Sequence, residues 1–244
     1  MLFQYISTRF GILKFSIFAV LLLILGTTEI VEGKIFAENF IFIFVSLFAF
    51  RLLDDAWSFY LDRIDHPRRT YLLPKNIKSF IVFTVIVFTI YLVGLFIFSW
   101  DFAITILILF VVSNGLYFLF YKVKSIMIII PLLKYPVFIW CISGFSMSSE
   151  VLFLSAGAFF MMLTSDFIDE NPFGSYRHMI RILMILITGI FIFQPWESSS
   201  NLLFDLGFII IPILLIASRS MEVNPKFPVI VFPILHLSDL LFSL

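Results

Sequence analysis

Chemistry in this 244-residue chain is concentrated in acids, and the acids that could cooperate fall in two short segments. The first runs from Arg51 to Arg69 and holds Asp54, Asp55, Asp62 and Asp65, with Ser58 among them. Asp55, Ser58, Asp62 and Asp65 are spaced three, four and three apart, which lines them along one face of a helix. The second segment is Ser165-Asp166-Phe167-Ile168-Asp169-Glu170, where Asp166 and Asp169 again share a face. Grouped carboxylates beside a membrane are expensive and repel one another, so something must compensate them. A hard cation such as Mg²⁺ does so: it prefers oxygen ligands, keeps several waters and binds through one or two carboxylates plus substrate phosphates. Arginines and lysines on the same loops can take the remaining phosphate oxygens, arginine with two parallel bonds. The two segments together read as two walls of a diphosphate and metal site. The alternative is that they are interfacial acids neutralised by neighbouring arginines, with the basic residues serving topology alone. The matched side and position of the two segments favour the metal site.

The elements that position these residues follow from composition. Hydrophobic residues make up 61% and charged residues 13% of the chain, with a mean hydropathy of +1.11, against about 45–50% apolar and about 25% charged in soluble domains. A soluble globular protein is excluded. Sixteen Lys and Arg balance sixteen Asp and Glu, so no basic field is available to hold nucleic acid. Apolar runs predict spans near residues 10–28, 36–53, 79–98, 102–121, 125–146, 150–165, 179–195, 202–218 and 227–243. The expected fold is therefore all-α, a polytopic bundle of about nine transmembrane helices forming one domain over residues 1–244, with no room for a separate soluble domain. The run Phe15–Leu25 resembles a signal peptide core, but no small-residue cleavage site follows it, so it reads as the first span. Cys141 is the single cysteine, which excludes an internal disulfide.

Basic residues collect at the cytoplasmic ends of spans. With the N-terminus inside, every Lys and Arg except Lys34 and Lys134 falls on the cytoplasmic side, and both acidic segments fall there too. The alternate loops carry Glu29, Glu32, Glu38, Asp101, Glu150, Glu197 and Asp205. A wrong span count would scramble this alternation. Both acidic segments thus sit at the inner ends of spans, the first after span 2 and the second after span 6.

At these residues the chain resembles the UbiA superfamily of intramembrane prenyltransferases. Asp54-Asp55-x-x-Ser58-x-x-x-Asp62 lies on the pattern NDxxDxxxD, and His66-Pro67-Arg68-Arg69 is similar to the HPxR stretch that follows it in many members. Ser165-Asp166-x-x-Asp169, with Phe173, occupies the place of the second motif, KDxxDxxxD. Tyr117 to Lys124 is similar to a Tyr and Lys segment after helix 4. The resemblance implies nine helices, transfer of an isoprenoid chain from a prenyl diphosphate to an acceptor within the bilayer, and Mg²⁺ bridging aspartates and diphosphate. It implies Asp55, Asp62, Asp166 and Asp169 as catalytic metal ligands, and Arg51, Arg69, Lys122 and Lys124 as diphosphate-binding residues. The acceptor, aromatic or lipid, is not specified. A bacterial inner membrane is the expected location, because no eukaryotic targeting peptide is evident.

The chain departs from the family pattern at Ser58, Ser165 and Phe173, where Asp, Lys and Asp are usual. Those departures keep open a non-catalytic relative that binds or moves a lipid or other amphiphile; a third reading is a cyclase of the same superfamily that uses the prenyl chain itself as acceptor. Trp57 and Tyr60, inside the first motif, are candidate aromatic faces for an allylic cation, or members of an interfacial aromatic belt. Lys134 is an intramembrane ionisable residue, hence functional, or else it snorkels or pairs with an acid such as Asp239. His66 reads as shaping the Pro67 turn, and His178 and His236 as interfacial and intrabundle residues.

Overall fold

The computed structural model describes residues 5–6, 9–27, 32–59, 62–63, 69–121, 123–148, 151–152, 154–159 and 162–163. Among them the regular structure is entirely helical: α1 (Ile12–Gly26), α2 (Gly33–Trp57), α3 (Pro74–Phe98), α4 (Trp100–Phe120), α5 (Lys124–Ile129) and α6 (Lys134–Ile142). Single 3₁₀ turns occupy Thr70–Leu72 and Ile130–Leu133. The expected spans 7 to 9 lie outside the described residues, as does part of span 6, whose described residues are helical.

α2, α3 and α4 are long and apolar enough to cross a membrane. At 1.5 Å per residue, the 25 residues of α2 and of α3 extend about 37 Å, more than the roughly 30 Å of a hydrocarbon core. The protein is a membrane protein. Exposed apolar residues recur along α3 and α4, among them Val82, Val85, Ile90, Ile108 and Val111. In water such a surface would aggregate, whereas lipid tails solvate it at no cost.

The chain forms two compact units, Met1–Val20 with Gly33–Val137, and Leu21–Glu32 with Phe138–Leu244. In the first unit α2 packs on α3, α3 on α4, and α4 on α5 and the 3₁₀ turn at Ile130–Leu133. α3 opens with Pro74, whose fixed φ suits the first helical turn and whose missing N–H would be unpaired there. It ends at Ser99, which is extended and also caps α4 by accepting the Phe102 N–H at 3.4 Å. One residue thus stops one helix and starts the next, and the two must run antiparallel. Asp101 in the first turn of α4 faces the positive end of the helix dipole. Between α2 and α3 the Tyr91 and Ser46 hydroxyls are 2.6 Å apart, and Ser46 donates onward to the Phe42 carbonyl at 2.6 Å.

The helix α2 runs four residues past the predicted end of span 2. The apolar signal stops at Leu53, but Asp54, Asp55, Ala56 and Trp57 remain helical, because cations from elsewhere in the unit neutralise the two aspartates. In the second unit, α6 ends on Gly144 in the left-handed conformation, φ 68°, with the Phe145 N–H reaching back to the Trp140 carbonyl at 3.0 Å. Gly26, at the end of α1, lies so near α6 that a Cβ there would fall 1.9 Å from Ile142 Cδ1.

Candidate functional site

The polar centre of the first unit is built on the last turn of α2 and the residues that follow. Two apolar clusters frame it. Tyr5, Leu52, Tyr71, Leu72 and Phe80 bury one another on one side, with the Tyr71 ring stacked on Phe80 at 4.9 Å and on Phe59 at 5.7 Å. Tyr117, Met127 and Ile130 pack with Trp57 on the other, where the Trp57 and Tyr117 rings stack at 5.4 Å and 11°. The first cluster brings the N-terminal segment and the 3₁₀ turn at Thr70–Leu72 against α2. The second brings α4 and α5 against it.

Three aspartates lie between these clusters, and each is held by one tyrosine hydroxyl and at least one cation. Asp54 accepts from Tyr117 at 3.1 Å through Oδ1 and pairs with Lys134 through Oδ2. Asp55, only 2% exposed, accepts from Tyr5 at 2.8 Å and takes both prongs of Arg9, Nη2 to Oδ1 at 2.6 Å and Nε to Oδ2 at 3.2 Å. Arg51 approaches the same Oδ1 at 3.4 Å. Asp62 accepts from Ser58 at 2.7 Å and from Tyr71, both on Oδ2, while Arg69 occupies Oδ1. Arg69 also donates to the Tyr71 hydroxyl at 3.2 Å. Buried carboxylates without such partners would be severely penalised.

The two tyrosines outside the spans show how strongly this environment favours neutral phenols. Burial, then the neighbouring charge of Asp55 and the hydrogen bond to Asp62, push the Tyr71 hydroxyl well above its ordinary range. Burial and Asp55 do the same to Tyr5. Burial acts against the Arg69 guanidinium, but its contacts with Tyr71 and Asp62 outweigh that and raise it. Both phenols therefore stay protonated and can only donate to their aspartates.

Beside the Asp54 and Lys134 pair is a small pocket with room for about one water. It is lined by Phe50, Trp57, Phe110, Ser113, Asn114 and Pro131 among others. Asn114 accepts there from the Trp57 indole N–H at 2.8 Å and donates to the Phe110 carbonyl at 2.6 Å. The 3₁₀ turn at Ile130–Leu133 directly precedes Lys134, so the break in the helix delivers the ammonium to this position.

Of the residues singled out from sequence, Asp55, Asp62, Arg51 and Arg69 meet in this unit with Asp54, Ser58, Trp57 and Lys134. Of the expected face, Ser58 lies one turn before Asp62 and bonds it. Lys134 pairs with Asp54. Lys122, Asp166, Asp169 and the side chain of Lys124 lie outside the described residues, as do Tyr60, Asp65 and His66. Sequence reasoning missed Arg9, Tyr5 and Tyr71 as partners of the aspartates, while Tyr117 lay in the segment it had singled out. A signal was present for the tyrosines: among 34 Phe the chain keeps only 8 Tyr, and a buried hydroxyl in an apolar bundle must find an acceptor.

Among the described residues no three metal-ligating side chains gather as a ready-made ligand set. A magnesium ion does not require one, because one or two carboxylates, waters and substrate phosphates complete its shell. The available donors are carboxylate and hydroxyl oxygens, the hard type it prefers. Asp62 Oδ1 has a guanidinium as its sole partner among the described residues, so the residues fit such an ion.

Fold and site together define a helical membrane protein with a charge-paired cluster where one of its spans ends. No family model matches the chain, and no curated protein or solved structure matches it.

Proposed function

We propose that this protein is an intramembrane prenyltransferase that moves an isoprenoid chain from a prenyl diphosphate to a small aromatic or lipid acceptor, with Mg²⁺ as cofactor. On this reading it is a nine-span bundle of a bacterial inner membrane with its N-terminus in the cytoplasm. One observation carries the proposal: Asp54, Asp55 and Asp62 meet Arg9, Arg51, Arg69 and Lys134 at the end of an apolar span. Such a place suits a ligand with a multiply charged head and an apolar tail.

In the reaction, the bond between the allylic carbon and a diphosphate oxygen breaks, and the electron pair leaves with the diphosphate. A bond from the acceptor to that carbon forms, and the acceptor loses a proton. The residues that would hold magnesium are Asp62 and, once Arg9 releases it, Asp55, with Asp166 and Asp169 from the second segment; the ion would supply positive charge against the departing oxygens. Arg69 and Arg51, joined by Lys122 and Lys124, bind phosphate oxygens. Among the described residues the buried Nε of Arg51 has no hydrogen-bond partner, which leaves a donor for an anion. The stacked faces of Trp57 and Tyr117 attract the positive charge that develops on the allylic carbon. The apolar helices exclude water from it.

The test is Mg²⁺-dependent diphosphate release by purified membranes supplied with prenyl diphosphates of several chain lengths. Asp62→Asn and Asp166→Asn are each expected to abolish it, and full turnover in both would discard the site. A second reading, a non-catalytic protein that binds an amphiphile, draws support from Ser58 in a motif position usually held by Asp and from the pairing of each described aspartate of the segment with a cation. Diphosphate release with any donor excludes it.

A further inference from the structure

The three aspartates are neutralised alike, but their oxygens are shared out differently. Both oxygens of Asp55 are gripped by Arg9, and Tyr5 and Arg51 add to the hold. Asp54 gives one oxygen to Tyr117 and the other to Lys134, an ammonium whose side chain is 6% exposed. Releasing that ammonium would strand a charge inside the bundle. Asp62 differs from both. Two neutral hydroxyls, Ser58 and Tyr71, hold its Oδ2, while its Oδ1 is held by Arg69 alone among the described residues. The Arg69 side chain is 21% exposed and lies past the end of α2. If it departs, the carboxylate stays anchored through Oδ2 and offers one bare oxygen. The guanidinium does not drift away, because it is tethered two residues from Tyr71, whose hydroxyl it also contacts.

Resting on the diphosphate reading above, we infer that Asp62 and Arg69 form an exchange pair: when a divalent cation arrives with a diphosphate, Asp62 Oδ1 passes from the guanidinium to the cation and Arg69 passes to a phosphate oxygen. No bond other than these ionic contacts is made or broken. Each partner trades one opposite charge for another, so neither is left buried and unpaired at any stage. Arg69 competes with the cation for Asp62 until the phosphate engages it. Free Mg²⁺ therefore binds poorly, and the complex of metal with diphosphate binds well. Ser58 is a positioning residue in this scheme, since its hydroxyl fixes the oxygen that does not exchange.

The experiment uses the full chain in lipid nanodiscs and calorimetric titration with MgCl₂ alone and with the preformed complex of Mg²⁺ and inorganic pyrophosphate. Wild-type protein is expected to bind the complex more tightly than Mg²⁺ alone. Arg69→Gln is expected to shift the two in opposite directions, binding Mg²⁺ alone about fivefold or more tighter and the complex about fivefold or more weaker, in the usual range for coupled sites. Arg69→Lys, which keeps the charge, is expected to restore the wild-type order, and circular dichroism shows whether each variant is folded. If Arg69→Gln weakens both ligands alike, or changes neither, the pair is a fixed tie and the exchange is overturned while the diphosphate site stands. If wild-type protein binds neither Mg²⁺ nor the complex, the diphosphate reading fails and the exchange fails with it.

Discussion

Lys134 and Asp54, 80 residues apart in the chain, form a direct ion pair within the helical bundle, with the lysine only 5% exposed. It ties the start of α6 to the last turn of α2, and Tyr117 of α4 completes the contact.

Removing either partner of this pair leaves the other charge buried and unmatched. Lys134→Met and Asp54→Asn are each expected to destabilise the protein by about 3–5 kcal/mol, and the double substitution by clearly less than the sum. Reversible unfolding in mixed micelles, arranged as a double-mutant cycle, measures this. Additive losses would show that the two do not act as a pair.

The phenols of Tyr71 and Tyr5 govern the alkaline limit of stability. Their hydroxyls are raised in the folded protein above the value of about 10 of an unfolded chain. A raised group of this kind contributes its full stabilisation below pH ~10 and loses it as pH climbs toward the folded value. Stability is therefore expected to be insensitive to these two groups from neutral pH to about 10 and to fall above it. The double variant Tyr5→Phe/Tyr71→Phe should be less stable at neutral pH and show a shallower alkaline decline.

Ser58 is open to a direct probe. Its hydroxyl bonds Asp62 at 2.7 Å, and a carboxylate in its place would face Asp62 with like charge. Ser58→Asp is expected to lower the melting temperature in EDTA and to regain more stability than wild type when Mg²⁺ is added, since a cation relieves the repulsion. Equal responses to Mg²⁺ in both proteins would argue against metal binding at this face.

Gly26 tests packing in the second unit. A methyl group there would fall 1.9 Å and 2.2 Å from two atoms of Ile142, so Gly26→Ala should cost about 1–3 kcal/mol through overpacking. Adding Ile142→Ala should return part of that loss, read as a rise in melting temperature over the single variant.

The helices α2, α3 and α4 were legible because long apolar runs mark segments able to cross a membrane; the runs at 10–28 and 125–146 also hold described helix, the second of them interrupted by the 3₁₀ turn at Ile130–Leu133. The end of α2 was not, because Asp54 and Asp55 read as an exit from the membrane while their neutralising partners, Lys134 and Arg9, stand 80 and 46 residues away. The helical face of Asp55, Ser58 and Asp62 was legible because a spacing of three or four is local geometry. Which cation serves which carboxylate is a tertiary fact, and no spacing encodes it. Sequence pointed to an acid such as Asp239 as a partner for Lys134, whereas the structure pairs it with Asp54; Asp239 lies outside the described residues. The break before Lys134 was equally hidden, since Pro131 and Pro136 mark a disturbance in span 5 without fixing its form.

The single-residue junction at Ser99 bears on how the protein is made. With no slack between α3 and α4, the translocation machinery cannot release one helix into the bilayer and wait for the other. A junction this short favours insertion of the pair together, as one hairpin with Ser99 at its tip. Lengthening this junction would uncouple the two insertion events, so during biogenesis its shortness acts as a timing constraint.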